Sequence, residues 1–347
     1  MKAASWPRDK PFEERLLVVD PRSGRLDDSR VGDLPRFLRA GDVVVVNDAA
    51  TLPASLHTVK GDLELRLLGR LGNDASYRAL LFGAGDASTP TERRPEPPPV
   101  PAGAALSFEG GLGATVTWVD PTAPRLCHVR FDRDGAPFFR ALYAAGKPIQ
   151  YAHVTRPLQL WHVQSVFASV PWAFESPSAG RPLTWGLLAH LRSCGVGLTF
   201  ITHAAGISST GSSELDARLP MPERYLVPQA AVDAIGEAQR RGGRVVAVGT
   251  TVTRALESAA RLHGRLVAGT GEATLVIGPG FEPSVVDGVM TGMHEKGTSH
   301  FALLEAFAPQ ALLSRAVVHA EEAGYLEHEF GDSCLVLPGA LGASPAR

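Results

Sequence analysis

Cysteine is scarce in this chain of 347 residues, which has three cysteines, Cys127, Cys194 and Cys334. They lie far apart and form no Cys-x-x-Cys pair, which argues against both a disulfide framework and a zinc ribbon. We expect all three to be buried as small apolar side chains in a cytoplasmic protein.

Long apolar runs are also missing. No run approaches the roughly 20 residues that a membrane-spanning helix needs. Residues 1–15 are polar and lack the apolar core of a secretory signal. We therefore expect neither a membrane segment nor a signal peptide.

The chain has no excess of positive charge, since its formal net charge is −2. Basic residues adjoin only at Arg93-Arg94 and Arg240-Arg241. Nucleic-acid binders are usually basic, at least locally. The charge balance does not exclude an RNA substrate, but it gives no reason to expect one.

What is present is an ordinary globular composition, with 44% hydrophobic and 20% charged residues. From about Gly135 onward, helical and strand patterns alternate, which predicts an α/β domain. Its functional loops should follow the carboxyl ends of its strands. The predicted elements are helices at 137–145, 183–194, 228–241, 253–262 and 299–307 and strands at 198–202, 245–248, 273–277 and 285–291. Earlier in the chain we expect strands at 15–20 and 43–47, with a helix at 31–38 between them.

Residues 59–134 have a different sequence pattern, made of several short segments typical of strands. Six prolines lie from Pro90 to Pro101. Short strands at regular spacing predict a small antiparallel β-barrel. The segment contains nine Lys or Arg and ten Asp or Glu, so it is close to neutral.

The run Gly243–Ser258 is the most informative segment. Val245–Val248 reads as a buried strand, and Gly249-Thr250-Thr251 then turns into a helix. The free N–H groups at such a helix start suit a carboxylate or phosphate. Arg254 near that start would also meet an anion, although an ordinary turn capped by threonine is the simpler interpretation.

Two histidines are candidates for acid–base chemistry. His203 follows the strand at 198–202, and His294 follows the strand at 285–291; the alternative for each is a hydrogen-bonded structural histidine. The spacing of His294, Glu295 and His300 is not His-Glu-x-x-His, so we expect no metal there.

Ordered blocks of the sequence resemble the S-adenosylmethionine:tRNA ribosyltransferase-isomerase family of the queuosine pathway. The strongest is Gly249-Thr250-Thr251-Val252-Thr253-Arg254-Ala255-Leu256-Glu257, which is similar to a Gly-Thr-Thr-x-x-Arg-x-Leu-Glu segment. The others, in chain order, are Arg15–Asp20, Gly41–Asp48 with Leu52–Ala54, Gln164–Ala168, Pro177–Gly180, His203–Gly206, Glu223–Tyr225, Pro279–Phe281 and Thr291–His294.

The resemblance implies a large α/β barrel-like domain at 1–58 and 135–347, with a small antiparallel β-barrel domain inserted at 59–134. It implies S-adenosylmethionine as ribosyl donor and substrate, with no metal. The catalytic candidates are His203, Glu223 and His294. Anion anchors are Thr250, Thr251 and Arg254, and Glu257 would pair with Arg254 or with a ligand ammonium. The other expected substrate-binding residues are Asn47, Asp48, Gln164, Ser178, Gly180, Gly206, Tyr225 and Thr291.

The sequence also departs from the family pattern, mostly at polar positions expected near the accepting base. Ala50 stands for an Arg, Gly292 for an Asn, and histidines near 182 and 222 are absent. Three alternatives stay open: the family reaction on tRNA, the same donor chemistry on a small-molecule acceptor, or a non-catalytic S-adenosylmethionine-binding homologue. The near-neutral insertion and the lost residues favour the small molecule slightly. The non-catalytic homologue is the least favoured alternative, because a protein without activity should have lost acid–base candidates as freely as acceptor residues, and His203, Glu223 and His294 are all present.

Overall fold

The computed structural model describes residues 1–72, 74–86 and 88–342. Most of its strands belong to two sheets, one of nine strands and one of six. In chain order the strands are β1 Lys2–Ala3, β2 Arg15–Asp20, β3 Arg25–Arg30, β4 Val43–Asn47, β5 Ala49–Thr51, β6 Ser55–His57, β7 Leu63–Leu71, β8 Ser76–Gly83, β9 Ala105–Ser107, β10 Gly113–Val119, β11 Leu126–Phe131, β12 Val170–Ala173, β13 Gly197–His203, β14 Glu223–Val227, β15 Val245–Val248, β16 Gly269–Ala273, β17 Gly288–Gly292, β18 Leu326–Glu327 and β19 Ser333–Val336.

The helices mostly follow strands of the larger sheet. They are α1 Gly135–Ala145, α2 Leu160–Val163, α3 Trp185–Ser193, α4 Ser213–Asp216, α5 Gln229–Arg240, α6 Thr250–His263, α7 Ser299–Leu304 and α8 Gln310–Glu322. Short 3-10 helices lie at Pro11–Glu13, Val31–Arg36, Thr91–Arg93, Glu109–Gly111 and Ser178–Gly180. Among the described residues, no helix combines the length and apolarity needed to cross a membrane.

The nine-stranded sheet has the order β16-β14-β13-β4-β15-β17-β19-β2-β3. Its centre is parallel, because β13, β4, β15 and β17 run in one direction, and antiparallel pairs flank this centre. The mixed α/β class predicted from the sequence is confirmed.

Both faces of the large sheet are buried, which explains its unbroken apolar strands. In β4, Val43 and Val45 pack into one core cluster, while Val44 and Val46 pack into another on the opposite face. Helices α5, α6 and α8 contribute to the first cluster and α3 to the second. The sheet is therefore a rigid layer that holds the loops at its strand ends in place.

The six-stranded sheet has the order β6-β7-β8-β11-β10-β9 and is antiparallel throughout. Its two edges meet where Thr58 and Phe108 pair as an isolated bridge. Helix α1 packs on this sheet through Phe138 and Leu142. Treating the segment as a separate domain with limits at 59 and 134 stays a prediction.

Several local expectations need correction. The strand predicted at 273–277 is wrong: β16 ends at Ala273 and pairs with β14. The helix predicted at 31–38 is a 3-10 helix over Val31–Arg36, since Pro35 has no N–H for an α-helical bond. Cys194 is exposed at the end of α3, whereas Cys127 and Cys334 are buried as expected.

Candidate active site

One cavity lies at the carboxyl ends of β13, β15 and β17, three strands of the parallel centre of the large sheet. Open α/β sheets bind ligands at this edge. The sequence-predicted residues that line it are Ser178, Gly206, Glu223, Thr250, Thr251, Arg254, Thr291 and His294. We call this space the donor cavity. Five of the family-like segments, which are separate in the sequence, therefore meet in one place.

Gly249 makes the sharp turn from β15 into α6. Its φ is 96°, a conformation that side-chain-bearing residues rarely adopt, and an added Cβ would lie 3.4 Å from the Cβ of Ala179. Helix α6 starts immediately afterwards at Thr250, and Thr250 and Thr251 both face the cavity. The N–H groups of this first turn have no partner within the helix, so the cavity wall attracts anions.

A buried ion pair joins Glu223 of β14 to Arg254 of α6. The Arg254 guanidinium also donates to the carbonyl oxygens of Leu275 (3.1 Å) and Ala273 (2.9 Å). Glu223 accepts a bond of 2.5 Å from the N–H of Gly206. Burial raises the pKa of Glu223, although Arg254 and Gly206 act in the opposite direction. Arg254 lines the cavity, but most of its donors already have partners within the protein.

His203 is fully buried and is not among the residues that line the donor cavity. Its backbone is held by Asn47, which accepts from the His203 N–H (2.9 Å) and donates to its carbonyl (3.0 Å). Its Nε2 lies 3.5 Å from a Glu223 oxygen, yet neither ring nitrogen has a partner in hydrogen-bonding geometry. Burial, with a smaller effect of Arg254, lowers the pKa of His203 to about 3. The ring is thus neutral and lies next to Glu223, outside the wall of the donor cavity.

His294, in contrast, faces the donor cavity together with His300. The two rings stack with their centres 4.9 Å apart, and His294 Nε2 lies 2.8 Å from the Thr291 hydroxyl. Burial, followed by the charges of His300 and His328, lowers the pKa of His294 well below its usual range. A neutral imidazole in a fixed orientation therefore borders the cavity.

The remaining predicted residues lie outside the lining of this cavity and have structural partners. Asp48 accepts from the Thr202 hydroxyl (2.6 Å), and Gln164 makes two bonds of 2.9 Å with the backbone of Thr51. Tyr225 belongs to the main core, and Gly180 packs against Phe167.

The expected pairing of Glu257 with Arg254 is corrected by the structure. The Glu257 carboxylate accepts the backbone N–H groups of Ser284, Val285 and Val286, each at 2.9 Å. It therefore holds the loop before β17, and Arg254 pairs with Glu223 instead.

Glu175 is the functional candidate that the sequence analysis missed. Glu175 lines the donor cavity. Its carboxylate accepts one hydrogen bond from the Tyr151 hydroxyl and another, of 3.1 Å, from the N–H of Ser208. Burial raises its pKa to about 7. The sequence feature that could have identified Glu175 is the position of a carboxylate immediately before the turn at 176–180. The burial of this carboxylate, however, depends on contacts with residues that are distant in sequence.

A second cavity lies between the six-stranded sheet and the strand ends of the large sheet. Aromatic and basic side chains line it, and Glu223 belongs to its wall as well as to that of the donor cavity. The aromatic and basic members are Tyr77, Phe139, Trp172, Phe174, Arg70, Arg78 and Arg224. The Arg224 guanidinium stacks 4.1 Å from the centre of the Trp172 ring. We call this space the aromatic cavity.

The chain is similar over nearly its whole length to characterised families. A family model described as "Queuosine biosynthesis protein" matches residues 2–336. An S-adenosylmethionine:tRNA ribosyltransferase-isomerase of Gluconacetobacter diazotrophicus is 33% identical, over 94% of this chain and 91% of its own. The enzyme of that name from Acidithiobacillus ferrooxidans is 34% identical, over 97% and 95%.

A solved structure shows the same fold. It is the crystal structure of an S-adenosylmethionine tRNA ribosyltransferase from Thermotoga maritima, with a TM-score of 0.54, 24% identity and coverage of 96% of both chains. The family match spans both sheets and every segment of the donor cavity. The chain therefore belongs to the queuosine biosynthesis protein family.

Proposed function

We propose that this protein is an S-adenosylmethionine-dependent tRNA ribosyltransferase-isomerase. It transfers the ribosyl group of S-adenosylmethionine to an aminomethyl-deazaguanine base in tRNA, isomerises it to an epoxycyclopentane, and releases adenine and methionine. The observation that carries the proposal is the convergence of five separate family-like segments on the donor cavity. The names of the relatives support the same reaction.

In the donor cavity, the first turn of α6 binds the methionine carboxylate. Thr250 and Thr251 offer hydroxyl and backbone donors there, and the positive end of the helix favours the negative charge. Arg254 contributes mainly by fixing Glu223 beneath this site.

The reaction needs a base that removes a proton next to the sulfonium. Glu175 suits this step because it faces the cavity and its pKa is near neutrality. The Tyr151 hydroxyl and the Ser208 N–H orient its carboxylate. Glu223 is the second carboxylate candidate, although Arg254 stabilises its ionised form and weakens it as a base.

The departing adenine needs a hydrogen-bond donor for the negative charge that develops on it. Thr291 occupies Nε2 of His294, and because burial keeps this ring neutral, it would stabilise the adenine by a hydrogen bond from Nδ1 and would not transfer a proton. His203 does not line the cavity, and we assign it a positioning role through its neighbour Glu223.

The aromatic cavity is the proposed entry for the accepting base of tRNA. An arginine stacked on a tryptophan is a platform of the kind that binds unstacked RNA bases. Because Glu223 borders both cavities, donor and acceptor would meet near its carboxylate. The comparisons give no support to the small-molecule acceptor that the charge balance favoured.

We further propose that residues 59–134 form a small β-barrel domain inserted into a barrel-like α/β domain. The meeting of the sheet edges at Thr58 and Phe108 supports the first part. A cytoplasmic location is proposed because tRNA and S-adenosylmethionine are found there.

The proposal is tested by incubating the protein with S-adenosylmethionine and tRNA that carries the aminomethyl base. We expect release of adenine together with modified tRNA, and neither with tRNA that lacks this base. Binding of tRNA should weaken as salt increases, since phosphate contacts release counterions. Binding of S-adenosylmethionine without turnover would instead leave the non-catalytic homologue, and turnover with a free base would restore the small-molecule acceptor.

A further inference from the structure

Three side chains outside the proposed chemistry form a compact cluster. Among the residues that the structure describes, His153, His328 and Glu329 are a group whose nitrogen and oxygen atoms all lie within 4.8 Å of one another. His153 Nε2 is 2.9 Å from a Glu329 oxygen, and the two imidazole rings stack with centres 4.4 Å apart.

Two separate parts of the fold supply the cluster. His153 lies in the loop before α2, whereas His328 and Glu329 directly follow β18. His328 has a φ of 68° and is the only non-glycine residue with positive φ in the described part of the chain. Such a conformation is unfavourable for a side-chain-bearing residue and often marks a functional position.

We propose that His153, His328 and Glu329 bind a divalent transition-metal ion, with zinc as the best match. Two imidazoles and one carboxylate form the ligand set of open zinc sites, which keep a further position for water or substrate. Zinc lies about 2 Å from each ligand atom. A small rotation of one ring would therefore close the site around an ion.

The surroundings fit an accessible ion. The side chains of His153 and Glu329 are 18% and 21% exposed, and that of His328 is 45% exposed, so an ion can reach them from solvent. The Tyr151 ring lies parallel to that of His153, with centres 6.3 Å apart, and its hydroxyl donates to Glu175. The metal would thus lie next to the donor cavity, separated from it by Tyr151.

This site departs from the expectation of no metal, which rested on the separation of the cysteines, on the spacing of His294, Glu295 and His300, and on the family resemblance. Because 176 positions separate His153 from Glu329, no local sequence motif could predict the cluster. The inference does not depend on the proposed reaction, since it concerns ion binding alone.

The test is calorimetric titration of the tag-free full-length protein with ZnCl2 after treatment with a chelator. We expect one tight site in the wild type. Removing a residue that only hydrogen-bonds to a metal ligand commonly weakens metal binding by about 10- to 100-fold. Removing a ligand itself should therefore weaken zinc binding by at least about 100-fold. His153→Ala and Glu329→Gln should both show this loss.

The matched control is His263→Ala, which removes an exposed histidine at the end of α6 and should leave zinc binding unchanged. Glu329→Gln preserves the shape of the side chain, so it separates a lost ligand from a damaged fold. Visible absorption of bound Co2+ in the wild type, lost in Glu329→Gln, would support the same ligand set. Absence of tight zinc binding by the wild type, or equal binding by all variants, would overturn the proposal.

Discussion

Glu223 and Arg254 form a buried ion pair that ties β14 to α6 between the two cavities. The side chains of these residues are only 9% and 7% exposed. Each charge therefore depends on the other for its stability in the fold.

Removal of Arg254 should destabilise the protein strongly. Arg254→Ala leaves the Glu223 charge buried without its partner, which typically costs about 3–5 kcal/mol. Chemical denaturation measures the effect. Arg261→Ala, an exposed arginine of the same helix, is the control and should change stability little. Adding Glu223→Gln to Arg254→Ala should recover part of the loss; equal stability of the two single arginine variants would contradict the pairing.

Gly249→Ala should weaken binding of S-adenosylmethionine. The new Cβ would meet Ala179 in the cavity wall, and a positive φ disfavours alanine. Gly264→Ala is the matched control, because Gly264 also has a positive φ, at the other end of α6, but has open space around it. Both changes should lower stability, by about 1 kcal/mol or more. Calorimetry should show reduced donor affinity only for Gly249→Ala, and unchanged affinity there would remove the α6 turn from the site.

Glu175 should impose a pH dependence on the reaction. With a pKa of about 7, it becomes a base as the pH rises through neutrality, so the rate of adenine release should rise over this interval. Glu175→Gln should lower the rate by about 10²–10⁴ and abolish this inflection. Glu214→Gln, at an exposed position, is the control. An unchanged inflection in Glu175→Gln would assign the titration to another group.

The same pKa shift has a consequence for stability. Burial raises the pKa of Glu175 from 4.5 to about 7, so its stabilising contribution is complete below the lower value and is lost as the pH rises through the higher one. Denaturation of the wild type and Glu175→Gln across this interval should therefore diverge, with the variant less sensitive to pH.

Trp172→Ala should weaken tRNA binding while leaving S-adenosylmethionine binding intact. Loss of the stacking between one base and an aromatic side chain typically costs about 1–3 kcal/mol, which is roughly 5- to 150-fold in affinity. Trp185→Ala removes a tryptophan that is 55% exposed at the start of α3 and serves as the control. Filter binding with modified tRNA checks the result. Equal losses in both variants would show that the aromatic cavity does not hold the base.

His203→Leu distinguishes a positioning role from direct acid–base catalysis. The ring is fully buried, and its nitrogens lack partners, so an apolar side chain of similar size should leave stability nearly unchanged. We expect the rate of adenine release to fall by less than the roughly 10² that marks loss of a general acid or base. A larger fall with unchanged donor affinity would return His203 to direct catalysis.

Local sequence was sufficient where burial and periodicity act on neighbouring residues. The valines of Val43–Val46 require two apolar faces, and the structure buries both. Gly249 followed by Thr250 predicted a strand-to-helix turn, and α6 starts there. The family resemblance was also available, because it depends on the order of motifs along the chain and not on contacts.

Tertiary structure decided what depends on residues that are distant in sequence. Gly269–Ala273 has two glycines and little strand pattern, and it becomes β16 only because β14 pairs with it. The pKa of Glu175 rises to about 7 because folding buries its carboxylate, which accepts the Tyr151 hydroxyl. Arg254 was expected to meet a ligand, but folding brings it to Glu223. Periodicity reports which residues are buried, whereas the partner of a buried charge depends on how the elements pack, and this the sequence pattern does not contain.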